Sequence, residues 1–152
     1  MRIPISWDKL WMDMAYKLSE RSKDDATQVG CIIINSDNRI ISYGYNGFAE
    51  GIEDTEDRWK RPEKYKRVIH AEENAVLNPT IVIKPGKPLF QCRMYITVLP
   101  CSKCARIVIQ SGVKEVIYKN ERGDKNSLLE YSLTQEMFKE ANVVLRKYNK
   151  EA

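Results

Sequence analysis

The chain has 152 residues, 43% of them apolar and 30% charged, and a net charge of +4. That length is close to the commonest domain size and can enclose one real core, and the mixed composition excludes a disordered or fibrous polymer. Four surplus positive charges admit an anionic ligand such as a nucleotide, but they are no nucleic-acid footprint, which needs a clustered basic face.

No apolar run approaches the roughly 18 residues of a membrane span, so no membrane partner is expected. The opening "MRIPISWDKLWMD" carries charges where a secretory leader needs an apolar stretch, so the expected location is cytoplasmic. Ser6 then precedes apolar residues at Trp7, Leu10, Trp11, Met14, Ala15 and Leu18. That spacing makes one helical stripe and predicts a helix over residues 7–21. The β-branched runs "QVGCIIIN" and "RIISYGY" flank the turn signal "SDN" and predict a hairpin.

From residue 46 to 67 the pattern breaks. The first part is acidic (Glu50, Glu53, Asp54, Glu56, Asp57) and the second basic (Arg58, Lys60, Arg61, Lys64, Lys66, Arg67). A loop this long inside a compact domain is functional or disordered, and a solvated charge run is the plain alternative. A helix over 71–77 follows, stopped by Asn78-Pro79, and then the connection "KPGKP". Strand "RMYITVL" runs into helix "CSKCARIVIQS", closed by Gly112. Strand "KEVIYK", a polar turn, helix "TQEMFKEA" and strand "VVLRKY" complete the chain. Strand–helix–strand alternation after a hairpin predicts a sheet that is parallel in its later part, with helices on its faces. Without internal repeats or a linker, residues 1–152 are expected to form a single domain.

Four cysteines without a secretory signal point to metal or reactive thiols rather than disulfides. Cys31 in "VGCIII" and Cys92 in "FQCRMYI" lie in strand-like runs and are expected as core filler. Cys101 and Cys104 are different, because they form "PCSKC" at the start of a helix. Both sulfurs then face one way, and the helix N-terminus favours thiolates. Alone, this pair suits either a redox dithiol or half of a zinc site.

His70, the only histidine, decides between them. It also lies at a helix mouth, in "VIHAEENAVLN". In an open α/β sheet such helix starts gather where ligands bind. His70, Cys101 and Cys104 would supply three protein ligands and leave the fourth tetrahedral position to water, the mark of a catalytic zinc. Glu72, two residues after His70, can address that water without binding the metal. H-A-E with P-C-x-x-C 31 residues on is the signature of the zinc deaminases.

Over nearly its whole length the chain resembles the zinc-dependent cytidine and deoxycytidylate deaminase superfamily, and within it the deoxycytidylate (dCMP) deaminase branch. The resemblance is carried by "RSKDDATQVG", "GYNG", "HAEENA" and "LPCSKCARIVIQSGVKEVIY". It implies a three-layer α/β fold: a five-stranded mixed sheet, an antiparallel hairpin and then parallel strands, with helices on both faces. It implies hydrolysis of dCMP to dUMP and ammonia, feeding thymidylate synthesis, with Glu72 as proton carrier and one zinc per chain. It further implies that the backbone around Ala71 and Cys101 holds the base and that Asn46 meets the sugar. Asn-Gly is also a hairpin turn, but no strand-like run follows Asn46-Gly47, which favours the contact.

A 5′-phosphate needs cations, and the expected substrate contacts are Lys23 and Thr27 near the start, Lys64 and Lys66 in the basic run, and Arg122. Arg122 stands where relatives often place a tyrosine, and it could grip a phosphate bidentately. The resemblance also implies a homohexamer, activated by dCTP with Mg²⁺ and inhibited by dTTP. Gly47, Glu50, Arg61, Lys64 and Lys66 are the candidate effector contacts. Rival readings are a deaminase of cytidine or of adenosine in transfer RNA and, from other classes, a zinc-stabilised binding module or a dithiol redox protein. Neither of the last two requires Glu72.

Overall fold

The computed structural model describes residues 1–121 and 125–150, without the side chains of 125–127. Helix α1 (Trp7–Ser19) begins at Ser6, whose hydroxyl accepts the Lys9 amide at 3.1 Å, the cap the sequence predicts. It stops short of residue 21 because the chain turns at Glu20, where amides bond back to Lys17 and Leu18. Strands β1 (Gly30–Ile34) and β2 (Ile40–Tyr45) form the expected antiparallel hairpin.

The 46–67 stretch is more ordered than its charge pattern predicts. A two-residue strand, β3 (Gly47–Phe48), does follow Asn46 and pairs antiparallel with β4 (Val68–Ile69). Between them lie two short 3₁₀ turns, Glu56–Trp59 and Glu63–Lys66. Phe48 and Trp59 stack with centroids 4.2 Å apart and planes 10° apart, and the Trp59 indole donates to Asp54. Two aromatics 11 positions apart thus anchor what reads locally as a solvated run.

Helix α2 (Ala71–Leu77), strand β5 (Arg93–Val98), helix α3 (Ser102–Ser111), strand β6 (Glu115–Asn120), helix α4 (Lys125–Glu140) and strand β7 (Val144–Lys147) follow. The sheet order is β2-β1-β5-β6-β7; β5 lies antiparallel to β1, and β6 and β7 continue parallel to β5. Helix α4 begins well before Thr134, where the sequence reading starts it. Tyr131, Thr134 and Phe138 form an i, i+3, i+7 stripe that packs on the sheet side, and the hydroxyl of Thr134 hides it from an apolar count. Gly112 closes α3 with φ 96°, the left-handed cap expected of it.

Alternation along the strands sorts side chains into two layers. Ile32, Ile34, Tyr95 and Ile117 meet Trp11, Met12 and Ala15 of α1, while Cys31, Ile33, Met94, Ile96 and Val116 meet α2, α3 and α4 through Ala71, Ala75, Ala105, Val108 and Phe138. Burial on both faces explains why every residue of β1 is apolar or glycine. Cys31 and Cys92 are buried filler, as expected. Among the described residues no helix is long and apolar enough to cross a membrane.

One contact sets the height of α2. A Cβ on Gly44 in β2 would lie 2.3 Å from the Ala71 carbonyl oxygen and 2.7 Å from the Ala75 nitrogen. Only glycine lets the helix backbone come this close, and the start of α2 is thereby held beside the start of α3.

Candidate active site

His70 and Cys101 occupy equivalent places. Each is the N-cap of its helix, extended at φ −71°, with ψ 159° and 166°. Cys104 lies on the first turn of α3 and faces the same gap. His70 Nδ1 is 3.2 Å from Cys104 Sγ and 3.8 Å from Cys101 Sγ, and the three donor atoms all lie within 4.8 Å of one another. Zinc bond lengths of about 2.1 Å to nitrogen and 2.3 Å to sulfur give tetrahedral edges of about 3.5–3.8 Å. The residues fit a metal of that size, and one imidazole with two thiols is a zinc donor set. The hydrogen bond from Cys104 pulls the Cys101 thiol down to about 3 against its burial, with His70 adding to the pull. Cys104 is correspondingly pushed up, by Cys101, by burial and by the Glu72 and Glu73 carboxylates. Thiolate ligands must be deprotonated to bind, so a metal held here would be bound with release of protons.

Glu72 is 2% exposed and lines a solvent-reaching cleft together with His70 and Ala71. Cys31 lies close enough beneath for the Glu72 charge to add to the burial that lifts its thiol well above the ordinary range. Glu73, next in sequence, meets both the backbone and the cluster, its Oε1 lying 3.9 Å from Cys104 Sγ. Its carboxylate accepts the His70 amide at 3.2 Å and fixes the start of α2.

The far wall of the cleft carries Asp24, Thr27, Asn46, Arg61, Lys64 and Tyr65. Of the expected substrate contacts, Asn46, Thr27 and Ala71 line it, whereas Lys23 points away and pairs with Asp54 at 2.5 Å. Arg122 lies outside the described residues. Asn46 is already employed: its carbonyl accepts the Val29 amide at 2.8 Å, and its NH₂ donates to the Thr27 carbonyl at 2.9 Å. The expected effector residues divide between two clefts. Arg61 and Lys64 belong to this one, while Gly47 and Glu50 line a groove beside β2 and α2; Lys66 is exposed and pairs with Glu63. The sequence reading missed Asp24, Val29, Tyr65 and Val68 as wall residues. Asp24 and Val29 had a signal, since both fall inside "RSKDDATQVG"; the other two had none.

Helix starts that carry a His/Cys/Cys cluster and a buried carboxylate, at the edge of a mixed α/β sheet, define a zinc-dependent hydrolase. The chain belongs to the family described by the cytidine and deoxycytidylate deaminase zinc-binding region, which matches residues 5–120. It is 35% identical over 150 residues to the deoxycytidylate deaminase of Homo sapiens, covering 95% of this chain and 80% of that one. A probable deoxycytidylate deaminase of Caenorhabditis elegans is 44% identical over 118 residues, covering 75% of this chain and 57% of its own. The fold matches the dCMP deaminase from cyanophage S-TIM5, solved with dCMP and dUMP, at a TM-score of 0.72 and 24% identity, covering 97% of this chain and all of that one.

Proposed function

We propose that the chain catalyses the hydrolytic deamination of dCMP to dUMP with release of ammonia. The observation that carries this reading is the Glu72 carboxyl, buried on the first turn of α2 in the same cleft as His70. A binding module or a dithiol redox protein has no use for it. The deoxycytidylate deaminases among the relatives support the choice of substrate. His70, Cys101 and Cys104 would hold zinc, which when bound supplies a Lewis acid able to lower the pKa of water toward about 7. Glu72 accepts a proton from the attacking water and delivers it to N3 of the pyrimidine. A second transfer through the same carboxyl goes to the C4 amino group, which leaves as ammonia. The cleft walls Val29 and Val68 shield the ring from bulk water, and the backbone at Ala71 and Cys101 orients the base. Asn46 keeps one donor hydrogen for the sugar, since an amide has two. Arg61, with Lys64 behind it, faces the phosphate. The enzyme works as a homohexamer regulated by dCTP with Mg²⁺ and by dTTP; a flat response to both at saturation would reject that part alone.

The test is ammonia release from dCMP, deoxycytidine, cytidine and a transfer-RNA adenosine substrate, on protein of measured zinc content. Two charge-assisted hydrogen bonds to the phosphate give dCMP an expected kcat/KM advantage of about 10²–10⁴ over deoxycytidine. Glu72→Ala should keep its zinc and lose at least about 10²–10⁴ in kcat. Full activity in zinc-free protein, or a loss below about tenfold on removing Glu72, would sink the mechanism. Equal turnover of nucleoside and nucleotide would make the enzyme a cytidine deaminase instead.

A further inference from the structure

The two N-cap residues at the metal site are held by different means. His70 is fixed from within its own helix, through the Glu73 carboxylate on the His70 amide. Cys101 is fixed by a helix that starts some two dozen residues later. On the side before Cys101, the Thr134 hydroxyl of α4 donates to the Pro100 carbonyl at 3.1 Å, and Thr134 is fully buried. On the side after it, the Glu130 carboxylate of α4 accepts the Ser102 amide at 3.0 Å. Glu130 and Thr134 are four residues apart and so share one helix face.

The consequence is geometric. The Pro100 carbonyl belongs to the peptide plane that sets φ of Cys101, and the Ser102 amide belongs to the plane that sets ψ. With both planes tied to α4, the backbone of Cys101 loses its two soft rotations. Its Cα–Cβ bond then points in one direction, and only χ1 remains for the sulfur. Glu130 also places a negative charge on the first amide of α3, which the helix dipole favours.

We infer that Glu130 and Thr134 are positioning residues that preset Cys101 as a zinc ligand, a two-point clamp by which α4 controls how tightly the metal is held. This inference rests on His70, Cys101 and Cys104 being the zinc centre. The clamp touches neither substrate nor metal. Its effect passes through the ligand it orients, and such outer partners are worth about 10–100-fold in metal affinity.

The experiment measures zinc release from the loaded protein to a chromogenic chelator, and the visible spectrum of the Co²⁺-substituted protein. Glu130→Ala should speed zinc release by about 10–100-fold and shift the Co²⁺ bands. Glu130→Gln, whose amide oxygen still accepts the Ser102 N–H, should restore most of the retention. Thr134→Val should resemble Glu130→Ala, and Thr134→Ser should resemble the parent. Should Glu130→Ala fail to fold, the Gln variant and the two Thr134 variants carry the comparison. For dCMP, turnover per chain should fall in step with the zinc retained. Zinc release and Co²⁺ bands unchanged in the Ala and Val variants, with melting temperature lowered equally in metal-free and loaded protein, would reduce the pair to ordinary packing and overturn the inference. A parent protein that binds no zinc would instead overturn the underlying site.

Discussion

Arg61 and Lys64 stand on one wall of the cleft with different freedoms. Lys64 has a side chain only 6% exposed, and its ammonium meets both oxygens of Asp24 at 3.1 and 2.9 Å. That pair is neutral as a unit. Removing one partner strands the other, so Lys64→Ala is expected to cost about 3–5 kcal/mol of stability, read from urea unfolding. Arg61 is exposed, lines the same cleft and lies 5.8 Å from the Tyr65 ring. It is therefore the cation better able to answer an incoming phosphate. Arg61→Ala should lower kcat/KM for dCMP by about 10–150-fold, one charge-assisted hydrogen bond, and leave deoxycytidine turnover nearly unchanged. Equal losses on both substrates would remove it from the phosphate site. None of this is legible locally: a lysine and an arginine in "RWKRPEKYKR" read alike, and only a partner 40 positions away separates them.

At the scale of elements, the site depends on how close α2 comes to β2. Gly44→Ala places a methyl against the Ala71 carbonyl and the Ala75 nitrogen, backbone atoms that cannot step aside singly. The helix must shift, at an expected cost of about 1–3 kcal/mol or more. Glu72 moves with it, so kcat should fall well beyond what the loss of folded protein explains; a lowered melting temperature with parental kcat would show that α2 tolerates the shift. The elements themselves were largely readable. Ser6 announced α1, β-branched runs announced β1 and β2, and Gly112 announced the end of α3, because caps and periodicity act within a few residues. A local reading cuts helix α4 short for the opposite reason. Its inward face uses Thr134, buried against Pro100, where a local reading expects a surface threonine.

For the whole molecule, the first helix and the last strand are tied by a polar network far from the cleft. Arg146 of β7 donates to Asp8 of α1 at 2.6 and 3.2 Å and to Glu115 at 2.8 Å, and the Tyr95 hydroxyl donates to Asp8 at 2.6 Å. Burial alone would raise the Asp8 carboxyl, but the Arg146 and Tyr95 hydrogen bonds outweigh it and hold the group below the usual carboxylate range. A carboxylate depressed in the folded state stabilises the fold above its unfolded value, about 3.9, and that contribution is lost as pH falls through the folded value. Asp8→Asn should therefore melt below the parent at pH 7, and the gap should narrow as pH falls below the unfolded carboxylate value. A gap that persists unchanged at pH 2 would mean the network acts by packing rather than by charge.

What the sequence shows by itself is the candidate site: His70, Glu72, Cys101 and Cys104 stand out by spacing within two short motifs, and N-cap positions are short-range properties that a linear reading can see. It also determined the hairpin, the helix starts and the alternation that implies a layered sheet. Tertiary structure alone decided the order β2-β1-β5-β6-β7, the anchoring of the 46–67 stretch by Phe48 on Trp59, and the double engagement of the Asn46 amide. It alone buried Lys64 against Asp24 and brought Glu130 and Thr134 to the peptides beside Cys101. The physical reason is the same in each case. A motif is written in residues that act together locally, whereas pairing, burial and positioning depend on partners brought close only when the sheet assembles.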